Sequence, residues 1–434
     1  MKKPVTTRRD FLQSGLTMLA AGMTVPAFIN KTAYGIGDPF LTSLVQKPTG
    51  IDGKILVVIQ LSGGNDGLSS VVPYADDAYH RVRPAIRHAP DDVLKLTDYV
   101  GLNAQMAPLK ELFDNGQMAI VQGVGYPNPN RSHFSSMDIW HTANPNEEAI
   151  RSGWLGRYFD AQCSGTDPKT GKAKEADPQM GISIGEANRI AMQGEQVMPL
   201  SFESPRDYQY RGRDRETFEK LNKTDGHVDE ASTEAGELDF LTRTAMDAQV
   251  SSDRVLQAIS GHNPSAKYPG GGFGNDLKTV AAMIKGELPT RVYYVSLGGF
   301  DTHANQRNNH DRLMQQFAQG VAALLEDLKE QGNDQRVAVM TFSEFGRRVE
   351  QNASGGTDHG AAAPMFFFGH NEHINPGVHG NHPSLVDLDA GDLKYQIDFR
   401  NCYAGMLQGW LDTDPATCAQ ILGGQFNPLP LVRA

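Results

Sequence analysis

Acidic, histidine and asparagine side chains cluster beside apolar segments of this 434-residue chain. Three clusters follow apolar runs, at residues 62–68, 298–306 and 343–348, and a fourth, at 355–360, precedes one. In an open α/β sheet the active site lies beyond the carboxyl ends of the strands. If the apolar runs are strands of such a sheet, the clusters meet at one edge and form a single site.

Asp301, His303 and His310 indicate a divalent metal ion. Carboxylates and imidazoles without thiolates suit zinc, manganese or iron. Asp301 and His303 lie two residues apart, so on extended backbone both side chains point to the same side. His310 belongs to the apolar stripe of the next helix and should face inward near the same edge. The alternative is structural: histidines bonded to backbone in the core, and Asp301 as a turn or N-cap acid.

Asp66, Glu344 and His359 are the candidate ligands in the other clusters. Each has an alternative that needs no metal. Asp66 precedes a glycine and could only form a turn. Glu344 could stabilise the first turn of a following helix, and His359 could be a core histidine.

Ser132 is the candidate nucleophile, and His133 beside it is the second candidate catalytic residue. Both follow the apolar run 118–124 and a turn rich in proline and asparagine. A serine that opens a helix is surrounded by unpaired backbone N–H groups, which favour an anion. Beside a metal ion its hydroxyl could ionise and attack. As a plain N-cap, Ser132 would need no function at all.

The elements that must hold these residues are predicted from apolar patterns. Continuous apolar runs predict strands that are covered on both faces in a largely parallel sheet, at 55–61, 118–124, 292–297, 337–342 and 364–368. Helical patterns at 277–284, 306–329 and 401–411 alternate with them. This order predicts a doubly wound α/β fold. Residues 203–270 are polar and charge-rich, which predicts a helical insertion or cap.

Residues 1–34 are predicted to be a signal peptide. Thr-Arg-Arg-Asp-Phe-Leu at 7–12 matches the twin-arginine pattern, and the apolar stretch at 15–27 is shorter than the roughly 20 residues of a membrane span. We expect export by the twin-arginine machinery to the periplasm or beyond. The mature chain, 35–434, is then one α/β domain without an integral membrane segment. An amphipathic N-terminal helix is the alternative.

The net charge limits the classes of molecule that the chain can bind. The chain has a formal charge of −11. The first 34 residues hold five basic side chains and one acidic, so the remainder carries −15. Such a surface repels nucleic acid, although local groups could still hold a small anion.

The three cysteines leave two alternatives open. Cys402 and Cys418 could pair in an oxidising compartment, or all three cysteines could be buried free thiols.

These motifs resemble those of an exported bacterial family known as domain of unknown function 1501. The matching phrases are Gly-Gly-Asn-Asp-Gly-Leu at 63–68, Ser-His-Phe at 132–134, Gly-Phe-Asp-Thr-His at 299–303 with Gln306 and His310, Ser-Glu-Phe-Gly-Arg at 343–347, and Asp-His-Gly at 358–360. That family is similar to the alkaline phosphatase and sulfatase superfamily. The resemblance implies a parallel sheet, a nucleophile that opens a helix, and one or two divalent metals.

Carried over residue by residue, the resemblance implies a nucleophilic Ser132 and a metal held by Asp301 and His303. Asp66 or Asn65 matches the acid after the first strand, Glu344 the acid of an Asp-His pair, and His359 the late histidine. Phe345 stands where the histidine of that pair is expected, and Asp301 and His303 are closer together than in the usual Asp-x-x-x-His. One metal or an altered pair therefore fits better, with His310 as a substitute ligand.

The sequence thus predicts an exported metal-dependent hydrolase of phosphate or sulfate esters. Ser132 would attack the ester, and His133 would protonate the leaving group or brace the loop. The substrate would be a small anionic ester or a sulfated or phosphorylated polymer. The rival is a non-catalytic binding or accessory protein whose metal ligands have degraded, because fold does not fix function. Phe345 favours this rival.

Overall fold

The computed structural model describes residues 53–145, 151–163, 178–185, 190–205 and 253–433. The predicted signal peptide and most of the predicted insertion at 203–270 lie outside these residues, so both stay predictions. Within the part of the chain that is described, no helix has the length and apolar character needed to cross a membrane.

Fourteen strands and nine helices have both of their ends within the described residues. The strands are β1 (Ile55–Ser62), β2 (Val71–Val72), β3 (Val93–Lys95), β4 (Gly101–Asn103), β5 (Met118–Gly125), β6 (Gly181–Ile184), β7 (Leu200–Phe202), β8 (Val292–Gly298), β9 (Val337–Phe342), β10 (Ala363–Phe368), β11 (Gly377–His379), β12 (Leu388–Asp389), β13 (Asp392–Leu393) and β14 (Ile397–Asp398). The helices are α1 (Gly67–Ser70), α2 (Asp77–Val82), α3 (Ala107–Asp114), α4 (His133–Thr142), α5 (Trp154–Cys163), α6 (Gly272–Lys285), α7 (Gln306–Glu330), α8 (Phe399–Gly409) and α9 (Pro415–Leu422).

A nine-stranded mixed sheet lies at the centre, in the order β11-β5-β10-β9-β1-β8-β6-β7, with β14 also paired to β5. Only β10 runs antiparallel to its neighbours, β5 and β9, whereas the other pairs in this sheet are parallel. All five predicted strands are confirmed, as β1, β5, β8, β9 and β10. The predicted α/β fold with a largely parallel sheet is therefore confirmed.

Helices cover both faces of the sheet. Alternate residues of β1 enter two different hydrophobic clusters, because successive strand side chains point to opposite faces. Val57 packs with α3, α6 and α7 on one face, and Val58 packs with α4, α5 and α8 on the other. The three predicted helices are confirmed as α6, α7 and α8. Burial on both faces explains why the strands read as continuous apolar runs.

The strand order brings the polar clusters to one edge. β9, β1 and β8 are parallel neighbours, so the loops that follow them emerge together. β10 is antiparallel to β9, so the loop that precedes it reaches the same edge, and β5 leads there into α4. Gly63 lets these loops approach: its φ is +119°, and a Cβ would lie 2.4 Å from the Asp301 backbone nitrogen.

All three cysteines, Cys163, Cys402 and Cys418, are buried thiols that form no disulfide. Of the two predicted alternatives, the structure therefore has the buried thiols and not the disulfide. Burial raises the pKa of the Cys402 thiol, so the thiolate, which is the reactive form, is disfavoured. These cysteines serve as small core side chains.

Candidate functional site

Histidine side chains from separate segments of the chain meet at the carboxylate of Asp301. His133, Asp301 and His359 each place one potential ligand atom within 4.8 Å of the others. Asp301 Oδ1 lies 3.1 Å from Nε2 of His359 and 3.5 Å from Nε2 of His133. His303 joins the group, because its Nε2 lies 3.0 Å from the same oxygen. The predicted residues Asp301, His303 and His359 are thus brought together, with His133 as a fourth member.

The three histidines use their two ring nitrogens in the same way. Each Nδ1 contacts an oxygen outside the centre: Glu344 Oε1 at 2.9 Å for His133, Asp358 Oδ1 at 3.2 Å for His303, and the Arg131 carbonyl at 2.8 Å for His359. Each Nε2 faces Asp301. Metal-binding histidines commonly hydrogen-bond in this manner through the nitrogen that does not bind the metal.

The spacing of His133, Asp301 and His359 fits a single ion, because one ligand atom of each lies within 4.8 Å of the other two, and His303 lies beside this set. Ligand atoms about 2.0–2.1 Å from a tetrahedral Zn²⁺ stand about 3.3 Å from one another. Four of the six distances among the four residues are 2.9 Å between Nε2 of His303 and of His359, and 3.0, 3.1 and 3.5 Å from the histidines to Asp301 Oδ1. Nε2 of His133 is buried and lacks a hydrogen-bond partner in the described residues. A cation at this point would satisfy that nitrogen.

Arg347 holds Asp301 in place and keeps it ionised. Its buried guanidinium donates to Asp301 Oδ1 at 2.7 Å and to the carbonyls of Gly63, Gly64, Phe300 and Thr357. Burial alone would raise the pKa of Asp301, but the hydrogen bond from Arg347 is the largest of the effects that lower it to about 2. Arg347 also ties three loops together, since those carbonyls belong to the segments after β1 and β8 and before β10.

Glu344 lies behind the group and not within it. Its carboxylate is 1% exposed, and Oε1 accepts from the Gly63 N–H at 2.8 Å and contacts His133 Nδ1. The hydrogen bond to Glu344 raises the pKa of His133. The structure therefore places this predicted ligand where it orients His133.

Phe345 packs against two of the imidazoles. Its ring centroid lies 4.9 Å from that of His133 and 4.7 Å from that of His359. The position therefore supplies an apolar wall beside the group, and no ligand.

Ser132 is the N-cap residue of α4, as its predicted place at a helix start requires. Its hydroxyl makes no capping hydrogen bond to the helix. The backbone N–H of Ser132 donates to Asn130 Oδ1 at 2.8 Å. Ser132 lies between Arg131, whose carbonyl contacts His359, and His133 itself. The serine thus adjoins the histidines along the chain, with a hydroxyl that the helix does not use.

Asp66 and His310 are not brought into the group. Asp66 is fully buried and pairs with Arg83 at 2.5 Å. Burial would raise its pKa, but Arg83 lowers it to about 2. His310 Nε2 lies 3.0 Å from Asn65 Oδ1, and burial lowers the pKa of His310 to about 4. Both side chains are engaged in the interior below the loops.

A family model matches residues 53–389, a range that contains every member of the group. It describes a protein of unknown function, DUF1501. The chain belongs to this family. No curated protein matches the chain.

Solved structures similar to this DUF1501 protein cover most of its length. The C-terminal periplasmic domain of EcEptC from Escherichia coli is 9% identical, with a TM-score of 0.38 over 86% of this chain and 87% of that one. The lipoteichoic acid synthase LtaP from Listeria monocytogenes is 9% identical, with a TM-score of 0.35 over 81% and 72%. A member of the alkaline phosphatase superfamily from Vibrio parahaemolyticus is 8% identical, with a TM-score of 0.30 over 82% and 69%.

Two side chains at the site of this DUF1501 chain, Arg347 and Asp358, are not among the candidate residues predicted from the sequence. Arg347 occurs in the phrase Ser-Glu-Phe-Gly-Arg, but one arginine after a strand carries no sign that its guanidinium turns back beneath another loop. Asp358 precedes His359, and its contact is with His303. For His133 the sequence predicts only a proton donor or a residue that braces the loop. A histidine directly after a helix-capping serine is the signal that could have marked it as a ligand.

Proposed function

We propose that this protein is a metal-dependent hydrolase of phosphate or sulfate esters. The observation that carries the proposal is the common orientation of three imidazoles, with every Nε2 directed at Asp301 and every Nδ1 engaged elsewhere. An orphaned, buried Nε2 on His133 favours a cation over a set of ion pairs.

His133, Asp301, His303 and His359 are the residues that would hold the ion. A divalent metal supplies a Lewis acid and lowers the pKa of a bound hydroxyl. Glu344 accepts the Nδ1 proton of His133 and so leaves the Nε2 lone pair free. Arg347 keeps the Asp301 carboxylate charged and fixed. His133 is thus proposed as a ligand and not as the proton donor to the leaving group.

Ser132 is the proposed nucleophile. Its hydroxyl would lose its proton to solvent, and its oxygen would form a bond to phosphorus or sulfur while the bond to the leaving-group oxygen breaks; that oxygen would take a proton from water. A second water would then cleave the serine ester, releasing the free anion and restoring the hydroxyl. The first backbone N–H groups of α4 have no capping side chain, so they can face the negative oxygens of the ester. Binding an anion at a helix N-terminus agrees with this chemistry.

The test is metal analysis combined with hydrolysis of an aryl phosphate, a diaryl phosphate and an aryl sulfate. We expect about one equivalent of zinc, manganese or iron in the purified protein. Ser132→Ala should keep the metal and lose at least a hundredfold in rate, whereas His359→Ala should lose both. His370→Ala is the control, because the His370 side chain lies near Asp334, Gln335, Glu372 and His373, none of which belongs to the group.

The rival function is binding without catalysis, and two contacts favour it. Arg347 already donates to the Asp301 oxygen that the histidines face, and Phe345 occupies the space beside His133 and His359. A metal-free protein that hydrolyses none of the three esters would establish the rival. A metal-bound protein in which Ser132→Ala changes no rate would contradict the nucleophile alone.

We also propose that residues 1–34 direct export through the twin-arginine machinery. The support is the pattern at 7–12, since these residues lie outside the described structure. Replacing both Arg8 and Arg9 by lysine should leave the protein in the cytoplasmic fraction. Replacing Lys2 and Lys3 by arginine is the control and should leave export unchanged. Equal export of both variants would contradict the proposal.

A further inference from the structure

A buried hydrogen-bond network lies beneath the candidate metal site. Its three central side chains, Asp66, Arg83 and Gln306, are each 0% exposed. None of them belongs to the group of His133, Asp301, His303 and His359. Together, however, they connect the loops around that group: the loops after β1 and β8 and the loop between β9 and β10.

Gln306 joins two of these loops through its amide oxygen. Oε1 accepts from Thr302 Oγ1 at 3.1 Å and from Thr357 Oγ1 at 2.5 Å. Thr302 lies between Asp301 and His303 in the chain, and Thr357 lies two residues before His359. One amide oxygen therefore fixes the distance between the segments that supply three of the proposed ligands.

The amide nitrogen of Gln306 joins the third loop. Nε2 donates to Asp66 Oδ2. A carboxylate can only accept and a hydroxyl can donate, so these three partners admit a single orientation of the amide. Asp66 also caps α1 by accepting from Leu68 N, and it accepts from Ser69 Oγ at 2.7 Å. The network thus reaches the segment after β1.

Arg83 extends the network to a second point of the loop between β9 and β10, which also carries Thr357. Its guanidinium pairs with Asp66 and donates to the Val349 carbonyl at 2.8 Å and to the Arg348 carbonyl at 2.7 Å. These carbonyls directly follow Arg347, the residue that holds Asp301. The negative charge of Asp66 is matched by Arg83, as a buried ion pair requires.

We infer that Gln306, with Asp66 and Arg83, sets the separation of the metal-binding loops and thereby the metal affinity. They are positioning residues, which touch neither metal nor substrate. The inference rests on the proposed metal site. Its physical basis is that a buried, fully used amide allows only one arrangement of its partners, whereas backbone contacts such as Thr357 N to Thr302 O, at 3.3 Å, are longer and more easily deformed.

The experiment compares three isosteric substitutions of buried threonines. Thr302→Val and Thr357→Val each remove one hydroxyl from Gln306. Thr341→Val is the matched control: Thr341 is buried like Thr302 and Thr357 and accepts from Phe366 N within the sheet, away from the network. Zinc affinity is measured by competition with a chromophoric chelator, and the melting temperature is measured on the same samples.

We expect Thr302→Val and Thr357→Val to lose about tenfold in zinc affinity, as outer-shell substitutions commonly do. Thr341→Val should lower the melting temperature and leave zinc affinity within twofold. A purely structural network would lower the melting temperature of all three variants and leave their zinc affinity alike, which would overturn the inference. Gln306→Met, which removes both links, should lose more affinity than either threonine variant.

A second readout separates failure of this inference from failure of the proposed function. If the wild type takes up no zinc, the proposed metal site is wrong. The loop geometry is then read from the imidazole ¹⁵N shifts of the metal-free protein. Thr357→Val should shift the rings of His303 and His359 and leave His262, which pairs with Asp327 elsewhere, unchanged. Unshifted His303 and His359 rings would overturn the inference.

Discussion

His133, His303 and His359 show how one hydrogen bond decides what an imidazole can do. A neutral ring has one nitrogen that donates and one that accepts. When Nδ1–H is held by an oxygen, the lone pair stays on Nε2, which is the form that binds a metal. Glu344, Asp358 and the Arg131 carbonyl provide those oxygens here.

Glu344→Gln tests the support of a single imidazole. The amide keeps the shape of the side chain but loses the charge that faces His133. We expect zinc affinity to fall about 10- to 100-fold, the usual range for a group behind a ligand. Glu350→Gln makes the same change at an exposed position of the same segment and should have no effect. Equal zinc affinities in the two variants would contradict the role of Glu344.

Asp66 supports a prediction about acid stability. Its pKa is about 2, lowered from 3.8, so its ionised form stabilises the fold above about pH 4. That contribution, about 2 kcal/mol, is lost as the pH falls towards 2. Asp66→Asn lacks this contribution and is less stable at neutral pH, because Arg83 loses its partner. In urea unfolding, the gap between wild type and variant should narrow by about 2 kcal/mol from pH 5 to pH 2. If the difference in free energy of unfolding stayed constant between pH 5 and pH 2, the lowered pKa of Asp66 would be refuted.

At the scale of elements, the start of α4 separates a structural serine from a functional one. An N-cap serine whose hydroxyl bonds the helix contributes about 1 kcal/mol. The Ser132 hydroxyl makes no such bond, whereas Asp414 accepts from two N–H groups at the start of α9. This difference removes the structural reason for a serine at 132.

We therefore expect Ser132→Ala to change the free energy of unfolding by less than about 0.5 kcal/mol. Asp414→Ala should cost clearly more stability than this, since it removes a side chain that accepts from two N–H groups of α9. Chemical denaturation of both variants checks the comparison. A cost at Ser132 as large as at Asp414 would restore the simple N-cap interpretation.

At Gly63 the loop after β1 lies directly against the loop after β8. Gly63→Ala would force a Cβ to within 2.4 Å of the Asp301 nitrogen, on backbone with φ of +119°. We expect a loss of about 1–3 kcal/mol in stability, together with weaker zinc binding. At Gly298, by contrast, a Cβ meets no atom within 4 Å, so Gly298→Ala should be tolerated. Similar losses in the two variants would show that the contact does not set the loop.

At the scale of the whole molecule, the proposed ion should couple loop geometry to stability. A ligand that binds only the folded state at a hundred times its Kd adds about 2.7 kcal/mol. Zinc should therefore raise the melting temperature of chelator-treated protein by several degrees. Asp301→Asn should abolish this rise, and Asp387→Asn, which alters an exposed pair with Lys394, should retain it. A zinc-dependent rise in Asp301→Asn would exclude Asp301 as a ligand.

The fold could be predicted largely from the sequence, because a strand that is buried on both faces consists of consecutive apolar residues. A strand such as β9 is buried at every position and reads as an unbroken apolar run. The stripe of α7 likewise follows from its 3.6-residue period. Asp301, His303 and His359 could be named for the same reason, since polar residues beside such runs must emerge at the sheet edge.

Which polar residues share a centre was decided by tertiary structure. Asp66 and Asp301 both follow central strands, yet Arg83 takes Asp66 into the interior and Arg347 holds Asp301 at the surface. A pairing between residues far apart in the chain leaves no periodic pattern, because it depends on how loops fold over one another. The sequence therefore determined the sheet and the chemical types at its edge, whereas only the packing of the loops decided their partners.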